Sequence, residues 1–365
     1  MSNMKDALGR TIDYMRISIT DRCNLRCKYC MPYGVECVPR WDILSLEEIQ
    51  AVGICAASLG IRHIKVTGGE PLVRRDCCQL VKQLKSTPGI EKVTITTNGV
   101  LLERYLDDLA EAGIDGINIS LDTLDRDLYQ KITGTDALGA VMEAVRRACA
   151  MPVSVKINAV SIDFNQMDAV PQEISRESGQ DGWRQMAELA REYPVDVRFI
   201  EMMPIGYGRN FKTINHQELL EEMMKAYPCM EEDDRVHGFG PAVYYRIPGF
   251  KGSIGLISAI HGKFCSGCNR VRLTSQGYLK PCLCYEDGVD LRRILRKGQE
   301  RPKEEGHYRW PYTGCPSDEG LQRELRKAME QAVLCKPAAH CFERPGQITE
   351  AHNMIAIGEI GRAHV

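Results

Sequence analysis

Apolar residues recur with two different periods along this chain. Short runs rich in β-branched residues lie at Met15 to Thr20, His63 to Thr67, Lys92 to Thr97, Gly116 to Leu121, Val153 to Val160 and Val195 to Met202, each of strand length. Between them apolar positions return three and four residues apart. This predicts helices over Ser45 to Leu59, Arg75 to Ser86, Leu101 to Ala112, Ala137 to Ala150 and Asp168 to Tyr193. Ser45 and Glu48 have capping-box spacing at the start of the first helix. Six strand–helix units imply an α/β chain whose parallel sheet curves into a partial barrel. A closed eightfold barrel would need two more units, and the pattern changes after Met203. The expected organisation is a barrel domain over residues 10–228 and a smaller α+β domain over 229–358.

Composition narrows this picture. The chain has 365 residues, 44% of them hydrophobic, enough for a large core. Its formal net charge is -2, so an acidic ligand must be met by local basic residues, and no nucleic-acid partner is expected. No apolar run is long enough to cross a membrane. Met1 to Arg10 is short and polar and lacks the apolar core of a secretory signal. Together with sixteen dispersed cysteines, this favours a reducing cytoplasm and metal ligation over a disulfide scaffold.

Candidate chemistry begins after the first strand. Cys23, Cys27 and Cys30 stand in C-x-x-x-C-x-x-C spacing, so three thiolates converge from one loop at the strand's carboxyl end. A four-iron cluster takes four cysteines. Three would leave one iron open to bind a reactive partner. A zinc knuckle would need a fourth ligand from elsewhere, and no His lies near the loop. The second strand ends in Thr67-Gly68-Gly69-Glu70-Pro71. As structure alone this is a tight strand-to-helix turn, and a glycine pair also permits close backbone approach.

A second group follows far downstream. Cys265 and Cys268 form a C-x-x-C, and Cys282 comes after a hairpin-like segment, Val271 to Pro281, turning at Gln276-Gly277. Three ligands are offered again, and Cys284 could complete a closed zinc or iron site. Arg270 and Arg272 alternate on the first arm of the hairpin, so both guanidiniums point the same way. Paired arginines beside an open metal corner suit an anionic ligand.

The first cysteine loop, with Tyr29 just before its third cysteine, resembles the radical S-adenosylmethionine (radical SAM) superfamily. From Tyr14 to Gly358 the chain resembles one family within it, the GTP 3',8-cyclases of molybdenum cofactor biosynthesis. The matching segments run from Arg16 through Asp21-Arg22-Cys23 and the Thr67-Gly-Gly-Glu-Pro turn to Thr96-Thr97-Asn98-Gly99 and Asn118-Ile-Ser120-Leu-Asp122. They continue through Lys156-Ile-Asn158 and Arg198-Phe-Ile-Glu201 to Cys265-Ser-Gly-Cys268-Asn-Arg270-Val-Arg272.

The resemblance implies a partial (βα)6 TIM-like barrel with a C-terminal α+β domain carrying a second iron–sulfur cluster. Cys23, Cys27 and Cys30 would hold one [4Fe-4S] cluster, where S-adenosylmethionine is bound and cleaved. Tyr29, Gly69, Ser120 and Met203 would contact that cofactor. Cys265, Cys268 and Cys282 would hold the second [4Fe-4S] cluster, facing the guanine of GTP. Arg16, Lys65, Thr96, Lys156, Arg198, Arg270 and Arg272 would contact GTP. The implied reaction is radical cyclisation of GTP to (8S)-3',8-cyclo-7,8-dihydroguanosine 5'-triphosphate through a 5'-deoxyadenosyl radical. The implied partners are an electron donor and a downstream cyclic pyranopterin monophosphate synthase, with the enzyme a homodimer or monomer.

The chain departs from the family pattern at several places. Lys65 stands where many members carry Arg. Gly179 to Glu192 is longer than usual, and Lys297 to Asp318 reads as an inserted surface loop. Family members end in two adjacent glycines; here Ala356-Ile357-Gly358 is followed by Glu-Ile-Gly-Arg-Ala-His-Val, residues 359–365. That heptapeptide is what a common short-read sequencing adapter gives when translated, so it is expected to be non-native. Two other readings stand beside the cyclase. One is a peptide-modifying radical SAM maturase, which usually carries more auxiliary-cluster cysteines. The other is a non-catalytic metal-binding regulator, which leaves the Thr-Gly-Gly-Glu-Pro turn unexplained.

Overall fold

The computed structural model describes residues 3–34, 38–163, 182–299 and 314–352. The six expected strands form as β1 (Tyr14–Ser18), β2 (His63–Thr67), β3 (Lys92–Thr97), β4 (Gly116–Ser120), β5 (Ser154–Ser161) and β6 (Asp196–Glu201), all parallel and adjacent in sequence order. The connecting helices are α1 (Leu46–Ser58), α2 (Cys77–Lys85), α3 (Leu102–Glu111), α4 (Arg126–Thr133), α5 (Leu138–Cys149) and α6 (Gly182–Glu192). α6 falls within the range of the helix expected over Asp168 to Tyr193. Residues 164–181, the centre of the 297–318 segment and the unusual ending at 359–365 lie outside the described residues.

The region after β6 does not fold away from the sheet. After α7 (His216–Ala226) come β7 (Glu231–Glu232), β8 (Val243–Arg246), β9 (Ile254–Ile257), β10 (Arg270–Leu273), β11 (Tyr278–Lys280) and β12 (Val289–Asp290). They give the sheet order β12-β11-β10-β1-β2-β3-β4-β5-β6-β9-β8-β7. β9 runs parallel to β6 and β10 parallel to β1, so the six-strand core gains a parallel neighbour at each edge. Among the described residues two helices follow, α8 (Arg292–Leu295) and α9 (Glu319–Leu334), the latter packing against α1. Among the described residues no helix is long and apolar enough to cross a membrane.

The two faces of the parallel core differ in chemistry because side chains alternate along each strand. One face carries Met15, Ile17, Ile64, Val66, Val93, Ile95, Ile117, Ile119, Ile157, Val197 and Phe199, all buried in the main apolar cluster. Each such side chain contributes about 1.5–3 kcal/mol on burial. α1 opens on the expected capping box: Ser45 Oγ accepts from the Glu48 amide at 3.1 Å, and Glu48 Oε2 accepts from the Ser45 amide at 2.7 Å. The same Glu48 carboxylate pairs with Arg296, tying α1 to the C-terminal region. The opposite face of the core is polar and equally buried. It carries the candidate site.

Candidate functional site

At the carboxyl end of the strands, the first cysteine loop is held on both sides. The Ile19 amide donates to Thr67 O at 2.9 Å, the Gly69 amide to Thr20 O at 2.7 Å, and the Glu70 amide to Arg22 O at 2.7 Å. This zips the loop to the glycine turn. A Cβ added at Gly68 would lie 2.8 Å from Thr20 O, so the turn needs glycine for the approach itself. On the other side the Arg26 and Lys28 amides donate to Thr133 and Ile132 at the end of α4. Gly68→Ala is expected to lower stability by about 1–3 kcal/mol. Thermal unfolding checks this beside Gly139→Ala on α5, where the new methyl meets nothing within 4 Å.

Acidic residues outside the sequence-derived set hold this end together. Glu70 is buried and accepts from Leu72 N, Thr97 Oγ1 and Asn98 N at 3.1, 2.8 and 2.7 Å. Burial raises its carboxyl to about 7 against the opposing pull of those bonds. Asn98 Nδ2 in turn donates to Asn24 Oδ1 at 2.8 Å and lies 3.8 Å from Cys23 Sγ. Burial, with nearby Glu70, pushes the Cys23 thiol up to about 11. A bound cation would favour its thiolate. Asp122 accepts from Tyr29 Oη at 2.6 Å and from the Val160 amide at 3.0 Å, which fixes Tyr29 over the loop. Gly69, Ser120 and Met203 lie at the carboxyl ends of alternate strands, β2, β4 and β6, and Ser120 and Met203 are buried.

The inward face of the sheet gathers the basic residues. Arg272, Arg16, Lys65 and Thr94 are successive cross-strand partners on β10, β1, β2 and β3. Thr96, Asn118 and Lys156 form a second row, and Asn158 and Arg198 are partners in a third. Arg16, Lys65, Lys156, Arg198, Arg270 and Arg272 are all at most 8% exposed. Asp196 pairs with Lys156 at 2.6 Å, and Arg198 Nη2 donates to Asn118 Oδ1 at 2.8 Å. Among the described residues Lys65 and Arg270 are paired with no carboxylate. Burial drives the Lys65 ammonium well below its usual range, reinforced by Arg198, Arg16, Lys156 and Arg270. Burial also brings Arg270 down to about 10, and its Nε and Nη1 make no hydrogen bond. So much unpaired buried charge is a site prepared for an anion.

Lys65, Lys156 and Arg198 also line a cavity of about 280 Å³ at the amino ends of the strands. Residues Val236 to Gly240 cover it, with Phe239 stacked on His63 at 3.4 Å between ring centroids. Lys156 reaches this cover through the His237 carbonyl. Arg16, Thr96, Arg270 and Arg272 share the inward face but do not line this cavity.

The second cysteine group sits at the opposite end of the sheet from the first. Cys265 and Cys268 precede β10, whose Arg270 is level with Tyr14 at the start of β1, whereas Cys23 follows the end of β1. The five residues of β1 at ~3.3 Å each set the two groups roughly 15–20 Å apart along the strand. β10 and β11 form the expected hairpin, with Gly277 at φ +86° in its turn. Cys282 ends the returning arm. Lys336, from the segment after α9, donates to Arg270 O and Pro281 O at 2.8 and 2.6 Å, clasping the hairpin. Burial opposes ionisation of Cys268, but the charges of Lys336, Arg270 and Arg272 outweigh it and lower the thiol to about 7. Cys284 is directed elsewhere: its Sγ lies 3.4 Å from that of Cys341.

One apolar cluster borders both groups, including Tyr29, Cys30 and Met203 with Cys23, Cys27, Phe264 and Cys282 packed against it. Among the described residues no three His, Cys, Asp or Glu side chains are gathered tightly enough for a single metal ion. Each group offers three free thiols, the number a [4Fe-4S] cluster with one open iron would use.

This parallel sheet, with its cysteine loop after the first strand, is that of a radical SAM protein. The Radical SAM superfamily model matches residues 17–172, and the Molybdenum Cofactor Synthesis C model matches residues 195–309. The chain is similar to the crystal structure of Streptococcus suis SuiB bound to S-adenosylmethionine, with a TM-score of 0.55 over 94% of this chain and 77% of that one, at 15% identity. That likeness shows the fold. The GTP 3',8-cyclase of Clostridium perfringens (strain 13 / Type A) is 38% identical over 357 residues, 97% of this chain and 100% of its own. The Moorella thermoacetica GTP 3',8-cyclase is 39% identical, covering 93% of this chain and 96% of its own. The chain belongs to the GTP 3',8-cyclase family.

Proposed function

We propose that this chain converts GTP to (8S)-3',8-cyclo-7,8-dihydroguanosine 5'-triphosphate, with the nucleotide lying between the two cysteine groups. The observation that carries this reading is the set of buried basic residues, Lys65, Arg198 and Arg270 among them without a carboxylate partner among the described residues, between two three-cysteine groups at opposite ends of the same sheet. Cys23, Cys27 and Cys30 would hold one [4Fe-4S] cluster and Cys265, Cys268 and Cys282 the other. The chemistry that the first cluster would supply is one-electron reduction of bound S-adenosylmethionine, with the electron coming from an external donor and methionine leaving, to give the 5'-deoxyadenosyl radical needed at the ribose 3' hydrogen.

The remaining work belongs to the protein. Tyr29, Gly69, Ser120 and Met203 would seat S-adenosylmethionine at the carboxyl ends of the strands. Arg16, Lys65, Thr96, Lys156, Arg198, Arg270 and Arg272 would hold GTP so that its ribose faces that end and its base the other. The apolar cluster around Tyr29, Met203 and Phe264 excludes water from a reactive sugar radical. Orientation is the larger contribution, because C8 of the base must be within reach when the 3' hydrogen leaves. A cytoplasmic setting, an electron donor and a downstream cyclic pyranopterin monophosphate synthase complete the proposal.

Iron analysis tests the two-cluster part. Anaerobically reconstituted protein is expected to hold about eight iron atoms per chain, and Cys268→Ser about four. A full complement of about four in the unsubstituted protein would overturn it.

A further inference from the structure

The chain passes between the two ends of the site through the segment Ser258 to Phe264. It leaves β9 at the carboxyl end, where S-adenosylmethionine would be seated, and reaches Cys265 at the amino end of β10. Its upper part is gathered on one side chain. Glu201, the last residue of β6, is 0% exposed. Its Oε2 accepts from the Ile260 amide at 2.6 Å and the His261 amide at 3.1 Å. Its Oε1 accepts from His261 Nδ1 at 2.6 Å and from the His216 amide at 3.4 Å.

His216 repeats the tie one layer away. Its ring bridges Ser161 Oγ, at the end of β5, and Ser258 Oγ, just after β9, at 2.9 and 3.0 Å. Ile260 and Phe264 of the same segment pack against the apolar cluster that borders both cysteine groups. Met202 and Met203 directly follow Glu201.

We infer that Glu201 is a positioning residue that fixes the Ser258–Phe264 segment, and through it the placement of Cys265, relative to the S-adenosylmethionine end of the site. Glu201 touches neither nucleotide nor cofactor in this account. It sets the registration between the place where the radical forms and the place where the base is held, and so governs how often a cleaved cofactor yields cyclised product. The inference rests on the cyclase reading for its kinetic consequence, but not for its structural one.

A buried carboxylate receiving three short bonds is costly to replace by a group that cannot accept them. Alanine accepts none. Glutamine keeps one acceptor oxygen, and the His261 ring, which can present Nδ1 as an acceptor in its other tautomer, can take a bond from the new amide. The order unsubstituted, Glu201→Gln, Glu201→Ala is therefore the expected ranking for every readout.

The test uses anaerobically reconstituted full-length protein carrying both clusters. Hydrogen exchange of the backbone amides is expected to rise by about tenfold or more at Ile260 to Phe264 in Glu201→Ala, and less in Glu201→Gln. Val197 to Ile200 and the Cys23–Cys30 loop should keep their protection. The ratio of 5'-deoxyadenosine to cyclised nucleotide should rise by a similar factor, while cofactor cleavage measured without nucleotide stays unchanged. Exchange that is unaltered in that segment, or raised uniformly, would overturn the inference, as would parallel loss of both products. If Glu201→Ala does not fold, Glu201→Gln decides on the same criteria. If the unsubstituted protein makes no cyclised nucleotide, the cyclase reading fails, and the exchange measurement still decides the role of Glu201.

Discussion

Cys27→Ser is expected to abolish S-adenosylmethionine cleavage, by more than about a thousandfold, whereas Cys268→Ser is expected to spare cleavage and remove the cyclised nucleotide. The asymmetry follows from position. Cys27 is at the centre of the loop after β1, and its carbonyl already closes the turn by accepting from the Cys30 and Met31 amides at 3.0 and 2.9 Å. Serine keeps that backbone arrangement and removes only the thiolate, so the loss reports ligation rather than misfolding. Cys268 stands at the other end of the strands, beside Arg270, Arg272 and Lys336, where the base would be held. Quantifying 5'-deoxyadenosine and cyclised nucleotide in both variants separates the two effects. Equal loss of cleavage in both would show that the two groups do not have separate tasks.

Lys65→Met is expected to stabilise the nucleotide-free protein by about 1–3 kcal/mol while weakening GTP binding by roughly a hundredfold. Lys65 is 6% exposed, has no carboxylate partner among the described residues, and is surrounded by other cations. Methionine fills a similar volume without the charge. The pH dependence has a definite sign. Because the folded-state pKa of Lys65 lies below its ordinary 10.5, the unfolded chain binds more protons in the interval between the two values, so stability rises with pH across it. Below that interval both states are protonated and the full penalty remains. The unsubstituted protein should therefore gain on Lys65→Met as pH climbs towards 10.5, in denaturant titrations without nucleotide. A variant less stable than the parent at neutral pH would mean that Lys65 has a stabilising partner in the folded state.

The barrel was legible because its strands are short, β-branched and separated by helices with clear periodicity. β2, β3 and β6 fall within or on their expected ranges, and β1 begins one residue early at Tyr14. α4 was not anticipated, although Asp125 caps its first turn and Gly134 ends it at φ +75°. Eight residues between two turns gave too few apolar repeats to register. The return of β9 and β10 to flank β6 and β1 was also invisible, since pairing between strands far apart in the chain, such as Tyr14 with Arg270 and Val197 with Ile254, leaves no local signal.

For the site, the cysteines and the alternating arginines announced themselves by spacing, and the inward placement of Arg16, Lys65, Lys156 and Arg198 followed from strand parity once the register was known. Glu70, Asp122 and Glu201 were present in the matched segments without an assigned task. Their roles depend on which distant amides they receive, such as Asn98, Val160 and Ile260. Lys336 had no sequence signal near the hairpin it clasps.

The most direct measurement is made anaerobically on the reconstituted, reduced protein with S-adenosylmethionine, with and without GTP, quantifying 5'-deoxyadenosine and the cyclised nucleotide. The account predicts GTP-dependent formation of both. Cleavage of S-adenosylmethionine that is indifferent to GTP, with no cyclised nucleotide from a protein carrying both clusters, would contradict it.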